Sequence, residues 1–439
     1  EVSLKGPSAG NPFTEQSVSA TFRSKNEIVT VDGFYDGDGV YKVRFMPSFT
    51  GDYVYETVGS FPEAESAGDF TVTEPTGNNH GPVRIANTYH FAYEDTTPYY
   101  SVGTTCYAWA HQPEEVHKQT LEELDKGYFN KMRFCVFPKH YIHNFRDPET
   151  FPYEGTPVDN SNLTEENFSY FVDFSGNNWD FTRFNPEHFR RMERCIVELQ
   201  ERGIEADIIV MHPYDRWGFS VMNREQDDLY WNYVIARFSA YRNVWWSLAN
   251  EYDLMRAKKL EDWEHYADLL CKKDPYNHMR SIHNCIPFYD HTRPWITHCS
   301  LQRQDLYRHV EYTTDYRTRY QKPIVWDEIA YEGNIDMGWG NISGQELTRQ
   351  LLRESTEQLW LTGIVVLAPD GNTVCEYSSD DRALAKVHGN LDRDIILDTA
   401  IHDEKVYSQR INQNDGSHID MSACARRDAP GVIVTFYYT

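Results

Sequence analysis

From about Tyr99 onward the chain repeats one theme: a short apolar, β-prone run, a polar break, then an amphipathic stretch with helical spacing. That alternation is the strongest constraint on the fold, because parallel strands need long crossovers, usually helical, whereas antiparallel strands do not. The runs are Tyr99 to Thr104, Lys131 to Phe137, Ala206 to Met211, Val244 to Leu248, Arg280 to His283, Trp295 to Cys299, Ile324 to Trp326 and Gly363 to Leu367. Between them, Asn185-Pro186-Glu187 supplies a cap, a proline at the first helical position and an early acid, after which Phe189, Met192, Ile196 and Leu199 share one face before Gly203. Leu260, Trp263, Tyr266 and Leu270 repeat that spacing. Strand–helix units of this number fit an α/β chain built as a (β/α)8 TIM barrel, which typically takes about 250 residues. No glycine fingerprint for dinucleotides or phosphates follows any run, which counts against an open doubly wound sheet.

The flanks read differently. Val18 to Arg23, Ile28 to Tyr35, Tyr41 to Phe45 and Asp52 to Thr57 are strand-like and separated by Gly-containing breaks, so residues 1–78 are expected to form a small antiparallel β-sandwich. Glu74 to Pro82 is a turn-rich hinge into a barrel expected over 79–389. Residues 390–439 read as a β-rich C-terminal appendage, with Ile395 to Leu397, Val406-Tyr407 and Val432 to Tyr438 as its strands. The sandwich has three roles open to it: binding sugar, walling one side of a cleft, or mediating homo-oligomer contacts.

The 42 basic and 67 acidic residues leave a formal charge of −25, a field that repels phosphate backbones and anionic membranes. Neither nucleic acid nor membrane is an expected partner, and on this ground the substrate is expected to be neutral or cationic. No apolar run reaches the roughly 18 residues needed to span a bilayer. The eight cysteines lack C-x-x-C spacing and sit mostly in apolar segments, so they read as reduced core thiols and favour a cytoplasmic setting. A chain beginning at Glu1 without a leader either has none or has lost it. Aromatic residues make up 15% of a chain whose mean hydropathy is −0.66, and rings on a polar chain suit sugar faces.

In such a barrel the active site lies where the strands end. The polar residues there include Lys139-His140 after the second run, His212-Pro213-Tyr214-Asp215-Arg216 after the third, Asn250-Glu251 after the fourth, His298 in the sixth, and Asp327-Glu328 after the seventh. Glu251 and Glu328 are the pair that suggests chemistry. Retaining glycosidases set two carboxyls roughly 5 to 5.5 Å apart, one attacking the anomeric carbon and the other protonating the leaving oxygen. Asp327 should point to the opposite side of its strand from Glu328, which makes it the second choice as nucleophile.

These residues resemble the signatures of clan A glycoside hydrolases, retaining enzymes on a (β/α)8 barrel. Asn250-Glu251 resembles that clan's acid/base pair, Glu328 its nucleophile, Asn130 with Arg133 its second-strand Asn-x-x-Arg, His212 its third-strand histidine and His298 its sixth-strand aromatic or histidine. More narrowly, residues 2–75 with Tyr99 to Trp109, Phe134 to Tyr141, His212 to Phe219 and Tyr331 to Trp339 resemble bacterial apiosidase-like glycosidases that carry a small sandwich before the barrel. The resemblance implies hydrolysis of O-glycosidic bonds in oligosaccharides by double displacement, with no cofactor and no metal. Glu251 is then the acid/base and Glu328 the nucleophile, with Arg133 holding the nucleophile ionised and Asn250 bonding the sugar 2-hydroxyl. His140, His212, Tyr214, Arg216 and His298 are expected to line the substrate site, and Trp109, Trp217 and Trp326 to stack on sugar rings.

The group usually carries Gly-Gly-Tyr and His-Gly-Glu on the eighth strand, with Trp soon after. Here that stretch reads Gly363-Ile364-Val365-Val366-Leu367-Ala368-Pro369 and no Trp follows Trp360, so either Asp370 and Asn372 replace those contacts or specificity, or even activity, differs from the group. Two other readings stand beside the glycosidase. A carbohydrate-binding barrel without turnover would keep the aromatics. A metal-dependent hydrolase of the amidohydrolase kind would use His140, His143, His212, His283, His291 and His298, but the first run ends Gly103-Thr104-Thr105-Cys106-Tyr107 without the His-x-His such enzymes carry.

Overall fold

The computed structural model describes residues 1–439 apart from 143, 304, 306–308, 310, 330, 333–340, 343, 403–404 and 427–429. It divides into two compact units: Glu1–Gln302 with Thr313–Asp327, and Arg303–Tyr312 with Glu328–Thr439.

The first unit opens with the expected sandwich. One antiparallel sheet runs in the order Ile28–Asp32, Val18–Arg23, Gly51–Gly59, Ser66–Val72, and the other in the order Val2–Lys5, Val40–Val43, Phe34–Tyr35. Val18, Ala20 and Phe22, at alternating positions, join Leu4, Tyr41, Val43 and Tyr53 in one core. The sandwich is fastened to the helices that follow. Glu193 accepts from Arg44 at 2.6 Å and from Arg237 at 2.6 Å, while Arg237 also reaches Asp36 at 2.9 Å.

Five parallel strands then pair in sequence: β1 (Gly103–Thr105), β2 (Lys131–Cys135), β3 (Glu205–Met211), β4 (Val244–Ala249) and β5 (Arg280–Ser281). The crossovers between them carry α1 (Glu114–Leu124), α2 (Pro186–Glu201), α3 (Arg224–Phe238) and α4 (Leu260–Lys273). The α2 start forms as the sequence predicts, with the Asn185 side chain accepting from the Glu187 N–H. Every residue of β2, β3 and β4 is buried, as parallel strands with both faces covered must be. Within the polar stretch after β2, Tyr153–Thr156 and Asn178–Phe184 pair as an antiparallel hairpin.

Two of the expected strands differ. The sixth, β6 (Cys299–Gln302), begins at the residue where the apolar run Trp295 to Cys299 ends, and pairs with β7 (Ile324–Glu328). The eighth expected strand, β8 (Gly363–Leu367), lies in the second unit, antiparallel to both β9 (Thr373–Ser378) and β12 (Val432–Tyr438). The sheet is completed by β10 (Val406–Asn412) and β11 (His418–Ala425). The reason is local. Ala368 N–H donates to the Asn372 carbonyl at 2.8 Å and Gly371 N–H to the Ala368 carbonyl at 2.9 Å, a tight turn that sends the chain straight back and leaves no room for a crossover. Gly363 is required there, since a Cβ would meet the Phe436 ring at 2.4 Å. Ile395 to Leu397, expected as a strand, lies within a helix, Arg393–Ala400, capped by Asp392. The chain expected to run as barrel to residue 389 therefore joins the C-terminal sheet from Gly363.

Among the described residues β1 pairs with β2 alone and β7 with β6 alone, so these strands do not close a ring. A cleft of about 460 Å³ lies between their free edges, lined by Gly103, Thr104, Lys131, Trp326 and Asp327 among others.

Candidate active site

Strand β2 alternates apolar residues directed at the helices with charged ones directed at the opposite face, and the charged ones, Lys131 and Arg133, build the floor of the site. Lys131 Nζ lies 2.6 Å from Asp207 on β3 and 2.7 Å from Asp327 on β7. Arg133 Nε stands 3.5 Å from Asp207 and 3.9 Å from Asp327. Ser300 Oγ donates to Asp327 at 2.5 Å, and His283 Nδ1 lies 3.2 Å from the same hydroxyl. Burial alone would raise the Asp327 pKa, but Lys131 and then Arg133 outweigh it and hold the carboxyl well below the usual range. Occupied in this way, Asp327 is a structural counter-ion, which removes it as an alternative nucleophile.

Toward the strand ends, the Asn250 Oδ1 accepts from Arg133 Nη2 at 3.4 Å and from the Tyr107 hydroxyl at 3.4 Å. Held through its oxygen, Asn250 keeps its amide N–H groups for another acceptor. Glu251 follows in the left-handed region, φ 49° and ψ 56°. For a residue with a Cβ this costs roughly 1–3 kcal/mol, a strain that collects where geometry matters to function. Two hydroxyl- and thiol-bearing groups meet its carboxylate. The Tyr214 O–H donates to Oε2, and the Cys285 thiol lies near the carboxylate. Burial and then the Glu251 charge push that thiol up to about 12, so it stays protonated. Tyr214 is itself fixed by the turn after β3, where the Asp215 carboxylate accepts from the N–H groups of Trp217, Gly218 and Ser220.

Glu328 ends β7, is buried, and accepts the Arg303 N–H on its backbone oxygen at 3.1 Å. Arg133, assigned to the nucleophile by the sequence, has Asp207 and Asp327 as the carboxylates within ion-pair distance.

Several expected substrate contacts have other roles. Trp109 is buried with its ring stacked on His117 at 4.5 Å and its N–H bonded to the His117 carbonyl, so it presents no open face. Trp217 is buried beneath Arg216. Trp326 turns outward toward α5 (Tyr312–Tyr320), its N–H donating to the Thr313 hydroxyl at 2.9 Å. His298 precedes β6 instead of ending it. It packs on Trp245 at 5.0 Å and Phe91 at 5.9 Å, near the start of β4 and away from the strand ends, because the sixth strand begins one residue later. Asn130 likewise serves the start of β2, bonding the Val102 N–H and the Tyr100 carbonyl. His140 and Arg216 organise the loop after β2: His140 Nε2 bonds the Ser169 carbonyl at 2.9 Å, and Arg216 donates to His140 Nδ1 and to Asp147. His212 Nε2 bonds the Phe137 carbonyl at 3.1 Å, and burial lowers its pKa to about 3, which leaves the ring neutral.

The site residues that sequence reasoning missed are Lys131, Asp207, Tyr107 and Cys285, and Lys139 was placed at a strand end without a role. A signal for the first was present, since Lys131 and Arg133 alternate inside an apolar run, and charges at period two in a buried strand must face partners. Lys139 packs its Nζ over the rings of Tyr107, at 3.4 Å from the centroid, and Tyr214, at 4.3 Å.

For the metal reading, the described trio of donor side chains close enough to share an ion is His117, Cys195 and Glu198, on α1 and α2. None of the described strand-end histidines belongs to it, and His143 and residues 333–339 lie outside the described residues.

Residues 86–362 match the family described as apiosidase-like, catalytic domain, and residues 1–60 match a domain of unknown function, DUF5060. Among solved structures, a candidate glycoside hydrolase from Bacteroides vulgatus is 27% identical over 100% of this chain and 98% of its own, with a TM-score of 0.73. A family 5 glycoside hydrolase from the same organism is 15% identical, covering 79% of this chain and 80% of its own at a TM-score of 0.45. A family 5 mannosidase from Rhizomucor miehei is 10% identical, covering 58% and 74% at a TM-score of 0.41. The last two overlaps are too loose to bear on the site. No curated protein matches the chain.

Proposed function

The chain belongs to the apiosidase-like catalytic-domain family and is a glycosidase, and from that membership we propose a retaining O-glycosidase with Glu251 as acid/base and Glu328 as nucleophile. The observation that carries the reading is the setting of Glu251: a strained turn directly after Asn250, with the Tyr214 phenol fixed on one carboxylate oxygen. With Oε2 engaged, the transferable proton belongs on Oε1. In the first step that proton passes to the glycosidic oxygen while a Glu328 oxygen bonds the anomeric carbon and the C–O bond to the leaving group breaks. In the second, Glu251, now a carboxylate, takes a proton from water as the water oxygen displaces Glu328. Asn250, gripped by Arg133 and Tyr107 through its oxygen, presents N–H donors to a sugar hydroxyl beside the reacting carbon.

Aryl glycosides assayed with the wild type, Glu251→Ala and Glu328→Ala test the assignment. Both variants are expected to lose at least a thousandfold in kcat. Azide is expected to rescue Glu328→Ala with an inverted glycosyl azide and Glu251→Ala with a retained one. Undiminished turnover in either variant would overturn it.

A further inference from the structure

We infer that Lys139 is the recognition point for an anionic group, a carboxylate or a sulfate ester, on the sugar this site takes; the inference rests on the glycosidase reading and names its substrate class.

Three lysines are buried among the described residues, Lys131, Lys139 and Lys258. Lys131 has Asp207 and Asp327, and Lys258 has Asp227 and the Met222 carbonyl. Lys139 has rings. Its Nζ lies 3.4 Å from the Tyr107 centroid, 4.3 Å from that of Tyr214 and 5.3 Å from that of Tyr141. Among the described residues no carboxylate comes within ion-pair distance of it and no oxygen accepts its hydrogens. A π-face compensates a desolvated ammonium in part but does not replace an acceptor. With neither a carboxylate nor a carbonyl on it among the described residues, the Lys139 ammonium is free to pair with an incoming anion.

The position ties that arrival to the reaction. The two rings that cage Lys139 are those whose hydroxyls bond Asn250 and Glu251, so an anion at Nζ lies beside the group that reads the sugar and the group that protonates it. Arg133 adds to the positive field from β2, and its buried Nη1 has no hydrogen-bond partner. Burial lowers the Lys139 pKa to about 8, so at pH 7 the amine is still mostly charged. The overall charge of −25 sets the long-range field and does not decide the local field beside Lys139 and Arg133. An anionic sugar gains an ion pair here that its neutral parent cannot make, which makes Lys139 a specificity residue.

Calorimetry with D-glucuronate, D-galacturonate and glucose 6-sulfate, each against its neutral parent sugar, tests this on the wild type, Lys139→Met and Lys139→Arg. The wild type is expected to bind one anionic sugar at least tenfold more tightly than its parent. The uronate and sulfate arms tell the two anions apart. Lys139→Met is expected to lose that ratio and Lys139→Arg to keep most of it, so the arginine variant carries the test if the methionine variant does not fold. Equal binding of charged and neutral sugars, survival of the ratio in Lys139→Met, its loss in Lys139→Arg, or no binding of any of these sugars would overturn the inference. Anion preference without hydrolysis sinks the glycosidase reading alone. Hydrolysis with no anion preference sinks this one alone.

Discussion

The Tyr214 hydroxyl donates to Glu251 Oε2, and the ring that carries the hydroxyl lies under the ammonium of Lys139. The phenol thus links a cation to the carboxylate proposed as acid/base. Hydrogen bonds to charged groups are worth about 1.5–3 kcal/mol. Tyr214→Phe is expected to lower kcat/KM on an aryl glycoside by about 10- to 100-fold while leaving the thermal midpoint within a few degrees of the wild type.

Glu251 holds a left-handed backbone that glycine adopts freely. Glu251→Gly is expected to be inactive yet more stable than the wild type by about 1 kcal/mol, because it relieves the strain. Urea unfolding measures it, and a lower midpoint would show that the turn is unstrained.

The Lys131 cluster predicts acid sensitivity. Asp327 has its pKa depressed in the folded protein by Lys131 and Arg133 against the opposing effect of burial. Its contribution to stability is therefore complete above the unfolded carboxylate value near 4 and is lost as the pH falls below that toward the folded value. Asp327→Asn is expected to lose stability less steeply than the wild type below about pH 4, in urea titrations at successive pH values. At pH 7, Lys131→Met leaves two carboxylates facing each other and is expected to cost about 3–5 kcal/mol.

Lys139 runs the other way. Burial lowers its pKa to about 8, partly offset by Cys135 and Glu251 and reinforced by Arg133, so from about pH 8 to 10.5 the unfolded chain binds the extra proton and stability rises with pH. Lys139→Met is expected to be more stable than the wild type at pH 7, by about 3 kcal/mol at most, with the difference shrinking above pH 8. Denaturation at pH 7 and pH 10 checks the sign.

The sandwich shares its charged contacts with helices α2 and α3, so it is not expected to behave as a detachable module. Deleting residues 1–78 strips Arg237 of Asp36 and Glu193 of Arg44, and removes the core that Tyr276 joins. The truncated protein is expected to be insoluble or to unfold with a lowered, broadened transition, measured by sedimentation and calorimetry.

Periodicity was enough to place the helices and the central strands, because an apolar run bounded by caps has few alternatives. It also placed Asn250 and Glu251 directly after β4 and Glu328 at the end of β7. It failed where a neighbour outside the run decides the outcome. Gly363 to Leu367 reads as a barrel strand in isolation, yet the Ala368-to-Asn372 turn and the Phe436 ring commit it to an antiparallel sheet. His298 and Cys299 differ by one position, and that position separates the start of β6 from its approach. Trp109 and Trp326 have the composition of sugar platforms, but His117 and Thr313 claim them. The pairing of Lys131 with Asp207 and Asp327, and the cage of Tyr107 and Tyr214 around Lys139, join residues 32 to 196 positions apart through space. The sequence by itself determined which segments become helix or strand and which carboxylates end strands, because those follow from short-range pattern. Tertiary structure alone decided which charges are paired and which is left for a ligand, because desolvation and partner geometry exist only once the strands are side by side.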